Sequence, residues 1–113
     1  VVHVNHPREV TPRLGEVLAP LRREGIVLLN QSVLLAGVND EPVVLAELSE
    51  RLFDIGVLPY YLHQLDPVAG AAHFQVDDDR ARSLHENLSA RLPGYLVPRL
   101  VVDRPETASK VPL

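Results

Sequence analysis

The chain has 113 residues, 46% of them hydrophobic and 23% charged, which suits one small globular domain and argues against disorder. Its net charge of −4, with scattered basic residues, argues against a nucleic-acid groove, and no apolar run is long enough to span a membrane. With no cysteine, disulfides, thiolate metal sites and a cysteine nucleophile are excluded within these residues. The first residue is Val1, methionine is absent, and ten arginines stand against a single lysine, Lys110. The missing initiator suggests a piece of something longer.

In chain order, the opening VVHVNH reads as the end of a strand. Thr11-Pro12 then offers an N-cap and a proline at the first helical position. Leu14, Val17, Leu18 and Leu21 repeat with helical spacing, Pro20 should kink or loosen that helix, and Gly25 ends it. A second helix is expected from Asp40, with Pro42 in its first turn, Leu45, Leu48 and Leu52 on one face, and Gly56 at its end. A third should open in Asp77-Asp78-Asp79, where negative charge suits a helix N-terminus. It should bury Ala81, Leu84 and Leu88 and stop at Pro93-Gly94.

An apolar, strand-like run follows each helix: Ile26 to Leu35, Val57 to Leu65 and Tyr95 to Val102. Their starts are 31 and 38 residues apart, the period of βα units. The fold class is therefore α/β, with residues 1–102 expected as four parallel strands and helices near 12–24, 41–55 and 78–92 on one side. Such a sheet is either half a barrel, with an open edge at the first strand, or a small open sheet. Both gather chemistry at the carboxyl ends of the strands.

Polar residues cluster toward those ends: His3, Asn5 and His6; Asn30, Gln31 and Ser32; His63, Gln64 and Asp66; and Asp103. Buried polar groups need partners, and a ligand in the barrel mouth is one way to supply them. Asn30 and Gln31 can equally form a structural pair, and His63 reads as structural or as a ligand contact. His73 and His85 read as structural or exposed. The histidine spacing does not make a metal site, no G-x-S-x-G elbow marks a hydrolase, and no Gly-rich phosphate loop is present. The connection Pro67 to Val76 is long enough to shape a site. Spacing alone assigns nothing to Lys110.

The motifs NHPREVT, GIVLLNQSVLLAGVND, VLPYYLHQLDPVAGAAHF, GYLVPRLVVD and the final SK-x-PL together resemble the C-terminal half of lysine 2,3-aminomutases. They are especially similar to the branch that makes β-lysine for modifying elongation factor P. The resemblance implies the C-terminal half of a partial (βα)6 radical-SAM, TIM-like barrel over residues 1–113, with a pyridoxal-phosphate lysine segment at 104–113. It implies a cytoplasmic isomerase moving the lysine amino group from C2 to C3, with S-adenosylmethionine, pyridoxal 5′-phosphate and a [4Fe–4S] cluster as cofactors.

Carried over by position, Lys110 matches the catalytic lysine that holds pyridoxal phosphate. Asp66 and Asp103 match the carboxylates for the amino end of substrate lysine, and His3, Gln31 and His63 match the S-adenosylmethionine pocket. The family often has Tyr where His63 stands. Pro105 to Ser109 replaces a glycine run found in other members and is closer to the elongation-factor branch. The cluster cysteines and the substrate-carboxylate arginine belong to the family's N-terminal half. The chain alone should thus be inactive, needing that half and forming a homo-oligomer, without nucleic acid or membrane as partner. A noncatalytic βα module binding a small molecule or partner chain is the alternative from another class.

Overall fold

The computed structural model describes residues 1–65, 72–103 and 110–113. Among them are three α-helices, α1 (Pro12–Arg23), α2 (Pro42–Asp54) and α3 (Asp78–Arg91). Four strands, β1 (Leu28–Leu34), β2 (Val57–Gln64), β3 (Arg99–Asp103) and β4 (Lys110–Pro112), form one sheet in the order β1-β2-β3-β4. The first three are parallel, and β4 turns back antiparallel to β3.

Local chemistry explains the helix starts. Thr11 caps α1 by accepting from the Leu14 N–H at 3.2 Å, and Asp77 caps α3 by accepting from the Arg80 N–H at 2.8 Å. The cap of α2 is Glu41 rather than Asp40, and it makes no side-chain cap bond. Asp40 instead closes the preceding turn by accepting from the Gly37 N–H at 3.0 Å. Helix α1 runs on through Pro20 to Arg23.

The helices lie on one face of the sheet. Leu34, Leu62 and Leu100 pack with Leu45, Ala46, Ala81, Leu84 and Leu88 into one apolar cluster. Leu28 and Val57 join Leu18, Leu48, Leu52 and Val4 in another. Along β1 the burial alternates, with Leu28, Asn30, Ser32 and Leu34 inward and Leu29, Gln31 and Val33 on the opposite, half-buried face.

The sheet differs from expectation at both ends. The opening segment is not a fourth parallel strand; it meets β1 through a single parallel bridge between Val2 and Asn30. Beyond that bridge, asparagine side chains replace the backbone ladder. Asn30 accepts from the Val4 N–H at 2.8 Å and donates to the Val4 carbonyl at 3.0 Å, while Val33 N–H donates to Asn5 Oδ1 at 2.9 Å. Asn39 donates to the Asn5 and Val33 carbonyls at 2.8 and 2.9 Å and accepts from Leu35 N–H at 2.8 Å. The fourth expected strand, Tyr95 to Val102, starts late because Gly94–Leu96 is a 3-10 turn and Pro98 lacks an N–H. The fourth strand of the sheet comes from the carboxyl terminus instead.

Candidate functional site

The half-buried face of the sheet, away from the helices, carries the candidate site. A register shift in β2 shapes it. Asn30 pairs with Pro59 and Gln31 with Tyr61, so Tyr60 is an extra residue in the strand. This bulge brings the adjacent rings of Tyr60 and Tyr61 to a centroid separation of 4.1 Å. Beyond it, Tyr61 and His63 share the face of Gln31 and Val33.

Gln31 and His63 meet there. His63 Nε2 lies 3.3 Å from Gln31 Oε1, and the Tyr61 ring stands edge-on to the imidazole at 5.7 Å between centroids. Two expected site residues from different strands are therefore in direct contact. Tyr61 is a further member that periodicity missed; the paired tyrosines before His63 were its only sequence signal. The hydroxyl of Tyr60 holds the Tyr61 phenol above its ordinary pKa, burial adds to this, and the Arg99 guanidinium acts in the opposite direction. The phenol is accordingly protonated at neutral pH.

Other expected residues are distributed differently. His3 is exposed, and no hydrogen bond among the described residues joins it to Gln31 or His63. Asp66 lies outside the described residues, as does most of the segment 104–113. Asp103 and Lys110 are described by their backbone, and the antiparallel register sets them directly opposite each other as the last residue of β3 and the first of β4.

Most of the buried polar groups find partners within the chain rather than needing a ligand, the exceptions among the described residues being the buried Oε1 atoms of Gln64 and Gln75, which have no hydrogen-bond partner. Asn30 is only 1% exposed and pairs with the Val4 backbone through both its oxygen and its amide nitrogen, while Ser32 Oγ donates to the Tyr61 carbonyl at 3.5 Å. Gln64 Nε2 donates to the Val76 carbonyl and to Asp78 Oδ1, the latter at 3.2 Å. His85 Nε2 donates to the Pro98 carbonyl at 2.7 Å, a structural role. Among the described residues no cluster of three or more His, Asp or Glu could hold a metal ion, and no helix is long and apolar enough to cross a membrane.

No protein-family model matches the chain. Curated relatives do. The chain is 53% identical over 113 residues to the L-lysine 2,3-aminomutase of Escherichia coli (strain K12), covering all of this chain and 33% of that protein. It is 45% identical over 111 residues to the protein of that name from Buchnera aphidicola subsp. Baizongia pistaciae, covering 98% of this chain and 33% of the relative. Against the L-lysine 2,3-aminomutase of Clostridium subterminale the identity is 40%, over 98% of this chain and 27% of the relative. The chain thus spans about a third or less of the length of these relatives. By sequence it belongs with the L-lysine 2,3-aminomutases and corresponds to their C-terminal part.

Proposed function

We propose that the full-length protein containing this chain is a lysine 2,3-aminomutase, interconverting lysine and β-lysine. In this reading the chain contributes one wall of the pocket for substrate and cofactors. The observation that carries it is the similarity to proteins of that name over the whole chain, 53% at its highest among the relatives described. The fold supports the barrel half of the reading. Consecutive strands are neighbours in order and the helices occupy one face, as in a singly wound barrel segment; a doubly wound sheet has helices on both faces.

The residues present fit two of the three implied cofactors. Lys110 is the only side-chain amine of the chain, and it opens the strand that pairs with the end of β3, at the carboxyl edge where barrel enzymes hold their ligands. Gln31 and His63 offer polar groups on the open face of the sheet, suited to a nucleoside-like cofactor such as S-adenosylmethionine. His3 is the third residue of that proposed pocket. An iron–sulfur cluster does not fit, because the chain has no cysteine, so its ligands must come from elsewhere in the protein. When bound, S-adenosylmethionine supplies the radical and pyridoxal phosphate the conjugated ring that stabilises it.

The chain's own residues then have limited tasks. Lys110 must present an unprotonated amine to bond a carbonyl, and an unperturbed lysine pKa of about 10.4 leaves almost none at neutral pH. Burial in the assembled protein, or a nearby cation, must lower it. Asp66 and Asp103 hold the cationic tail of substrate lysine by charge-assisted hydrogen bonds. The sequence at 105–109 favours a role of the product in modifying elongation factor P.

Borohydride reduction of the full-length protein loaded with pyridoxal phosphate tests the assignment. The pyridoxyl mass should appear on the C-terminal peptide at Lys110, and Lys110→Ala should abolish label and activity together. A pyridoxyl adduct found only on a lysine outside this chain would overturn the role given to Lys110.

A further inference from the structure

Arg99 opens β3 and is the register partner of Tyr61 on β2. Its guanidinium is exposed and makes no salt bridge among the described residues. Beside it lies a cavity of about 370 Å³, lined by Tyr61, His85, Arg99, Leu100, Val101 and Pro112. The wall combines a guanidinium, a phenol and an imidazole over an apolar floor, and no carboxylate among the described residues lines it. The His85 ring is held by its bond to the Pro98 carbonyl, so this side of the cavity is preformed. The bulge at Tyr60 sets the position of Tyr61 on the other side.

This arrangement selects by charge. A cationic ligand would meet Arg99 with no carboxylate among the described lining residues to offset the repulsion. A purely apolar ligand would cover a guanidinium with five donors and leave them without acceptors. A carboxylate or phosphate satisfies both the charge and the planar donor fork. We propose that this cavity is an anion site, taking a carboxylate or phosphate group against Arg99 with Tyr61 and His85 at its sides.

The site adjoins the candidate pocket, with which it shares Tyr61. It uses none of Lys110, Asp66, Asp103, Gln31 or His63. Arg99 and Asp103 sit at opposite ends of β3, roughly 13 Å apart at the rise of an extended strand. The anion can come from a free small molecule or from an acidic side chain elsewhere in the full-length protein, and the two sources give different results.

The test is a titration of the full-length protein with inorganic phosphate, followed by calorimetry, with pyridoxal phosphate present at saturation so that any cofactor phosphate site is filled. A free-anion site predicts saturable phosphate binding. Arg99→Gln should weaken it about tenfold or more, Arg99→Lys should restore part of it, and Arg13→Gln on α1 should leave it unchanged. An internal carboxylate predicts no phosphate binding. In that case Arg99→Gln should lower the melting temperature, relative to Arg13→Gln, by an amount that shrinks as salt is added. Phosphate binding indifferent to Arg99→Gln would overturn the proposal. So would no phosphate binding together with equal melting temperatures for Arg99→Gln and Arg13→Gln. Either result leaves the aminomutase reading untouched, since that rests on the label at Lys110.

Discussion

Asparagine 30 illustrates how a polar residue inside an apolar run can serve the fold. The sequence marks it as needing a partner but cannot say whether that partner is a ligand or the chain itself. The answer lies 26 residues away, in the backbone of Val4. An asparagine amide presents an N–H donor and a C=O acceptor side by side, so it can stand in for one rung of a parallel ladder. Replacing Asn30 with Ala strips both partners from Val4, which is 6% exposed, and should cost roughly 2–4 kcal/mol. A fall in the urea midpoint of the full-length protein would register this; an unchanged midpoint would mean that Val4 finds water instead. The substrate roles proposed for Asp66 and Asp103 rest instead on the family resemblance alone. For them Asp66→Asn and Asp103→Asn should each weaken lysine binding by about 1.5–3 kcal/mol and spare pyridoxal phosphate binding. Equal loss of both affinities would assign the two carboxylates to the fold rather than to substrate.

Helices were the most legible elements, because caps and 3.6-residue periodicity are local signals. Thr11 and Asp77 act as the caps their residue types announce, and α1, α2 and α3 fall within a few residues of expectation. Strands were less legible, since pairing depends on residues distant in sequence. Nothing local separates a strand from the asparagine-clasped segment at the start of the chain. The bulge at Tyr60 is equally hidden, because it exists only relative to β1. The helix ends at Gly25 and Gly56 were legible, and both residues have φ near +81°. In that left-handed region a side chain costs about 1–2 kcal/mol. Gly25→Ala adds a Cβ in open space, whereas at Gly56 it would meet the flexible end of Arg22. Both substitutions should therefore destabilise by about 1–2 kcal/mol, with Gly56→Ala the worse by whatever Arg22 loses on moving aside. Melting curves of the two variants would check the ranking, and a neutral Gly25→Ala would contradict the backbone argument.

At the scale of the whole molecule, the faces of the fold matter more than its edges. A parallel sheet is ordinarily covered on both sides, yet among the described residues the helices cover only one. The opposite face, with Leu29, Gln31, Val33, Tyr61 and His63, is left half-buried. Val17 and Leu21 on α1 are 56% and 41% exposed, and Ile26 and Val27 just before β1 are 50% and 72% exposed. The sheet edges are better protected than a sequence reading of half a barrel suggests. The first strand is reduced to one bridge and a set of asparagine clasps, while β4 is three residues long and ends in proline. Self-association of the isolated 113 residues should thus proceed through apolar faces rather than by strand addition. The isolated chain should bind a dye for exposed apolar surface and form oligomers whose size grows with concentration, without a gain in β-structure by circular dichroism. Replacing Val17 and Leu21 with Glu should reduce that association, because it charges one of the exposed apolar stripes without touching the core. A monodisperse monomer at high concentration, unfolding in one cooperative step, would mean that three helices and one covered face suffice for a stable domain. The relatives, roughly three times longer or more, would then be read as adding function to this unit rather than completing it.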